Sequence, residues 1–183
     1  MENMMKTATQ DLIHEHIAIQ SALSILEKIL ERMEKNVPID INDLQGILEF
    51  LKEFADKCHH GKEEGFLFPA LEKTGVRNEG GPIGVMLLEH NLGRNLIKQM
   101  QQSIQNGTVN IDQYIEATTA YIKLLRAHIE KENKVLFPMI ETRLSVSEQR
   151  ELLEKFENHE EHVIGSSRHE ELHAFLERLR LNY

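Results

Sequence analysis

The sequence predicts an all-α protein: an up-down four-helix bundle over residues 1–143, followed by a helical C-terminal extension over residues 144–183 that packs on the bundle. Three observations carry that prediction. Only 4 of the 183 residues are proline and 10 are glycine, while Leu, Ile, Glu, Lys and Gln abound, a composition that favours helix. Apolar residues recur at three-and-four spacing through four long stretches, the signature of a helix with one buried face. The second half also repeats the first, since a shift of 69 residues superposes His59 on His128, Glu63 on Glu132 and Pro69 on Pro138.

The first helix is expected from about Thr9 to Lys35, with the stripe Leu12, His16, Ile19, Leu23, Leu26, Leu30 and Met33. Asn36-Val37-Pro38 stops it, and Asp40 or Asn42 can cap the second helix. That helix carries Leu44, Leu48, Leu51, Ala55, His59, Glu63 and Phe66 on one face. Thr74 to Pro82, rich in glycine and charge, reads as the loop joining the two halves. The third helix should run from about Ile83 to Gln105, with Ile83, Met86, His90, Gly93, Ile97, Met100 and Ile104 inward, closed by Asn106-Gly107 as a left-handed cap. The fourth begins near Ile111 with the stripe Tyr114, Thr118, Tyr121, Leu125, His128, Glu132, Val135 and Met139.

Pro69 and Pro138 lie about one and a half turns past each carboxylate. Proline lacks a backbone donor and clashes one turn back, so both helices should kink or end there. Ser145-Val146-Ser147-Glu148 offers a capping box for a segment reaching about Val163. Gly165-Ser166-Ser167 breaks it, and a last helix follows from about Arg168 to Arg180.

Several function classes are excluded. No run of about 18 uncharged apolar residues spans a membrane. A net charge of −9 argues against nucleic-acid binding, which needs a basic face. Met1 to Gln10 lacks the apolar run of a signal peptide, and a single cysteine fits a reducing cytoplasm. No side chain is an evident general acid or nucleophile, which disfavours a dedicated hydrolase.

The chemistry is carried by Cys58-His59-His60-Gly61-Lys62-Glu63-Glu64 with Leu67-Phe68-Pro69, and by His128-Ile129-Glu130-Lys131-Glu132 with Leu136-Phe137-Pro138. A Glu-His pair precedes each, Glu15-His16 and Glu89-His90. Residues four apart share a helix face, so His59 with Glu63 and His128 with Glu132 can each serve one site. His16 and His90 contribute from the other two helices. The polar residues occupy places where apolar ones otherwise recur, so all six point inward. Buried, unpaired carboxylates cost several kcal/mol unless a cation lies between them.

Two six-coordinate ions offer roughly a dozen positions. Bridging Glu63 and Glu132 fill four, the histidines four, and an oxo or hydroxo bridge two, leaving about two open. Mixed imidazole and carboxylate donors suit iron, with zinc or manganese as alternatives.

With these residues in place, the chain resembles the hemerythrin-like proteins, also described as HHE cation-binding domains. The family motif falls on His16, His59, Glu63, His90, His128 and Glu132. The resemblance implies a non-haem di-iron centre, used in relatives for oxygen carriage or sensing, nitric oxide or peroxide responses, and iron handling or repair. Oxygen-carrying hemerythrins have two histidines a turn apart on the third helix. Here Arg94 follows His90 by one turn, which weakens an oxygen-carrier reading and leaves one coordination position unassigned.

The neighbours of the motif are read more plainly. His60 is expected to be partly exposed beside the site, with contact to metal or gating of access as the alternative. Glu64 and Glu130 read as solvated, with support of a ligating imidazole as the alternative. His169 and His173 form a pair expected at the surface or capping the bundle mouth, with filling of the unassigned position as the alternative. His159 and His162 face solvent, and Glu148 to Glu161 is a solvated helix face. Cys58 is expected to pack as a buried, small apolar group, with redox activity as the alternative. The expected function is binding, sensing or scavenging of a small diatomic or peroxide ligand, or iron handling. The alternatives are a di-iron oxidoreductase with true turnover and a zinc-stabilised interaction module.

Overall fold

A computed structural model describes residues 6–183; the first five positions of the segment considered above for a signal peptide lie outside the described residues. The first rod of the bundle is α1 (Ala8–Glu34), opened by a capping box in which Thr7 and Gln10 satisfy each other's backbone donors. The second begins as α2 (Ile41–Phe50), capped by Asp40, continues through π-helical turns at Leu51–His60 and Glu63–Leu67, and finishes as α3 (Phe68–Lys73). The third is α4 (Pro82–Ser103), with Pro82 at its first position, where a missing donor costs nothing. The fourth is α5 (Ile111–Lys131), a π turn at Glu132–Leu136, and α6 (Phe137–Arg143). Two further helices, α7 (Val146–Val163) and α8 (Ser166–Asn182), follow.

The rods alternate in direction, and the core shows why. One apolar cluster holds Ala8 and Leu12 of α1, Leu67 and Phe68, Ile83 and Met86, and Leu136 and Phe137. The other holds Ile19 to Met33, Leu44 to Ala55, Ile97 and Met100, and Tyr114 to Ile129. Each rod therefore passes from one cluster to the other, in opposite order from its neighbours in sequence. The six polar residues His16, His59, Glu63, His90, His128 and Glu132 fall between the clusters, each at most 1% exposed. The extension contributes to both, through Leu152 and Phe156 of α7 and Leu172, Leu176 and Leu179 of α8. Two glycines permit this docking. A Cβ added at Gly61 would lie 2.5 Å from His159 Nε2 of α7, and one at Gly46 would run into the Phe175 ring of α8.

Three local expectations are corrected. Neither proline ends its helix; the chain runs on to Lys73 and to Arg143. The disturbance is instead absorbed as a wide turn on the N-terminal side, where Phe68 N–H donates to Glu63 O and Phe137 N–H to Glu132 O, five residues back. A wide turn carries one extra residue, so the buried stripe slips by one after each carboxylate. Leu67 and Leu136 are buried, whereas Phe66 is half-buried and Val135 is 51% exposed. Finally, Asn106-Gly107 is not a helix cap. Both residues have positive φ and form the two-residue turn of a hairpin pairing Ile104 with Val109.

Candidate metal centre

Each of the four motif histidines uses its two ring nitrogens differently. On the outer side, His59 Nδ1 bonds Glu15 Oε2 at 2.8 Å, His90 Nδ1 bonds Glu64 Oε1 at 2.7 Å, and His128 Nδ1 bonds Glu89 Oε2 at 2.9 Å. His16 Nδ1 lies 2.9 Å from Asn133 Oδ1. A carboxylate only accepts, so Nδ1 carries the proton in each carboxylate-bound ring, and the neutral imidazole keeps a bare lone pair on Nε2. Those Nε2 atoms meet in pairs, His16 with His59 and His90 with His128, each 3.1 Å apart. Facing lone pairs at that distance repel unless positive charge lies between them.

The carboxylates tie the two pairs together. Glu132 Oε2 is 3.2 Å from His16 Nε2 and Glu132 Oε1 is 3.1 Å from His128 Nε2. Glu63 Oε1 is 3.8 Å from His59 Nε2 and Glu63 Oε2 is 3.3 Å from His90 Nε2. So each carboxylate presents one oxygen to each histidine pair, although all four oxygens are buried without a hydrogen-bond partner. Short separations without hydrogen-bond alignment are what donors around a shared cation show. Two overlapping groups able to hold a metal result: His16, His59, Glu63 and Glu132, and His60, Glu63, His90 and His128.

Electrostatics agree. Burial disfavours a charged His128, but the adjacent Glu132 carboxylate outweighs it and raises the ring to about 10. Burial likewise acts against ionised Glu132, and the adjacent positive charges of His128 and His16 overcome it, holding the carboxyl well below its ordinary range. Protons thus supply the positive charge when no metal does.

A second layer braces the first. Lys62, 1% exposed, places Nζ 2.5 Å from Glu15 Oε1, 2.8 Å from Glu160 Oε2 of α7 and 3.2 Å from Asp11 Oδ2. Burial would raise Glu15, yet its bond to charged His59 and the Lys62 ammonium hold it at about 2. Lys131 pairs with Glu89 in the same manner.

The structure brings all six motif residues together and revises several of their neighbours. Glu64 is not solvated; it bonds His90 Nδ1 and Arg94. Glu130 is fully exposed and pairs only with Lys134. His60 is buried rather than partly exposed. The ten-residue π stretch explains the change: each residue rotates less than the 100° of an α-helix, so adjacent His59 and His60 share the inner face. His159 is half-buried and bonds Lys57 O, and Glu160 leaves the solvated face of α7 to reach Lys62. His162 remains exposed. His169 and His173, both on α8, set their rings against Phe54 and lie outside both candidate metal groups. Sequence reasoning gave Lys62 no role. A lysine at an inward position in a stretch already carrying two histidines was the signal available.

Comparison with known proteins follows the same lines. The family model for the hemerythrin HHE cation binding domain matches residues 7–140. An uncharacterised protein of Mycobacterium tuberculosis (strain H37Rv) is 26% identical over 166 residues, 88% of this chain and 64% of its own length. The iron-sulfur cluster repair protein YtfE of Salmonella schwarzengrund is 31% identical over 117 residues, 60% of this chain and 52% of its own. The chain thus spans less than two thirds of the curated relatives it matches. No solved structure matches. Among the described residues, no helix is long and apolar enough to cross a membrane.

Proposed function

The chain belongs to the hemerythrin HHE cation-binding family, and from that premise we propose that it holds two iron ions and uses their open positions to bind, sense or scavenge a small ligand such as oxygen, nitric oxide or peroxide, or to handle iron. One observation supports this above the rest. Two pairs of Nε2 atoms 3.1 Å apart face each other across two carboxylates, each giving one oxygen to either pair. In this reading Glu63, Glu132, His16, His59, His90 and His128 would hold the ions. The irons supply redox and ligand-binding chemistry. This chain's residues orient them, fix each imidazole's tautomer through Glu15, Glu64, Glu89 and Asn133, and keep the centre dry. Likeness to a relative named for iron-sulfur cluster repair favours the iron-handling branch.

The test is metal quantification of anaerobically purified protein with its visible spectrum, followed by titration with oxygen and nitric oxide. Two irons per chain and a spectrum that changes with the ligand are expected. Zinc alone, with no such change, overturns the reading. Stopped-flow oxidation of the reduced protein separates stoichiometric binding from turnover.

A further inference from the structure

His60 repeats the pattern of the motif histidines. Its Nδ1 lies 3.3 Å from Asp56 Oδ1, so the proton sits on the outer nitrogen and Nε2 is left bare. That Nε2 is buried and has no partner among the described residues. The ring is 4% exposed, stacks on His90 with centroids 3.8 Å apart and planes 15° from parallel, and meets His128 edge-on at 5.7 Å. It offers a donor atom within 4.8 Å of donors from Glu63, His90 and His128. An unpaired imidazole nitrogen costs free energy in such a place unless something binds it.

Arg94 accounts for how His60 is held. Its Nε donates to Asp56 Oδ1 at 2.8 Å and its Nη2 to Glu64 Oε1 at 2.7 Å. Asp56 and Glu64 are the outer acceptors of His60 and His90. One guanidinium therefore fixes the acceptors of two stacked imidazoles at once.

We infer that His60 is a fifth imidazole donor, serving the ion position of His90 and His128, and that the two ion positions are consequently unequal. This rests on the two-ion reading above. The His90–His128 position then has three imidazoles and one oxygen each from Glu63 and Glu132. The His16–His59 position has two imidazoles and the other two oxygens. For six-coordinate ions the second position is the more open. Arg94 with Asp56 acts as a positioning pair for the fuller position.

Ferrous iron binding measured against a competing chelator tests the assignment. In His60→Gln, which keeps bulk but not the ring, one of two iron affinities should fall by at least about 10- to 100-fold, the range for losing even an outer partner, while the other is unchanged. His60→Gly should show the same loss and recover with free imidazole. Asp56→Asn should fall between wild type and His60→Gln. Two iron affinities in His60→Gln equal to wild type overturn the assignment. Should the variants misfold by circular dichroism, Mössbauer spectra of the iron-57 wild type decide. Two distinct doublets of equal area support it, and a single doublet overturns it. Wild-type protein taking up fewer than two irons overturns the two-ion reading itself, and this assignment with it.

Discussion

Lys62 Nζ donates to Glu15 Oε1 at 2.5 Å with almost none of the lysine reaching solvent. Removing one partner of a buried pair leaves the other charge unsatisfied and costs about 3–5 kcal/mol. Lys62→Ala should therefore destabilise the protein by roughly that amount in urea denaturation. An unchanged midpoint would mean that Asp11, Glu15 and Glu160 rearrange at no cost.

Glu89 reaches the centre only through His128 Nδ1. Glu89→Gln should weaken metal binding by about 10- to 100-fold, because the charged acceptor of His128 Nδ1–H becomes a neutral, weaker one. Glu130→Gln touches only a solvent-facing pair and serves as the control. Chelator competition reads both, and equal affinities would remove Glu89 from the supporting layer.

Glu63→Ala and Glu132→Ala each delete the two oxygens that face the two histidine pairs. Both should lose at least one ion and melt at lower temperature when loaded. Mass spectrometry under native conditions counts the ions. Full occupancy in both variants would exclude these carboxylates as donors.

Metal uptake should release protons. His128, raised to about 10, is charged at neutral pH when no metal is present, so a cation has to displace that proton. The proton-bound form is favoured below its pKa, so affinity should climb as pH rises from 6 to 9. Titration calorimetry in buffers of different ionisation enthalpy checks this. A pH-independent affinity would contradict it.

Cys58 should be inert. Burial pushes its thiol up to about 12, so almost no thiolate exists at pH 7. A disulfide reagent should react with the folded, metal-loaded protein far more slowly than with the protein in urea, as followed by absorbance. Comparable rates would place the thiol at the surface.

Most of the bundle was legible because its signals are local and repeated. Every residue of the α1 stripe is buried, and the capping box at Ser145 starts α7 where its motif stands. The convergence of six donors followed from the 69-residue repeat. What escaped was helical pitch. A period of 3.6 cannot anticipate π turns, so it turned His60 outward and kept Phe66 and Val135 in the core. Long-range charge pairing was equally hidden. Nothing local distinguishes Glu160, which crosses to Lys62, from its solvated neighbours, or Glu64, which meets Arg94 from another rod.

The stacking order of the interior has a mechanical consequence. Two greasy compartments are separated by a charged disc, so neither compartment gains cohesion from the other through dispersion or exclusion of water. A bound cation would act as a rivet through that disc. Stripping it should leave two halves that loosen at different temperatures, each steadied by its own strap, one by α7 and one by α8. Occupancy would then be readable at a distance, as the grip of the C-terminal helices on the barrel of rods beneath them.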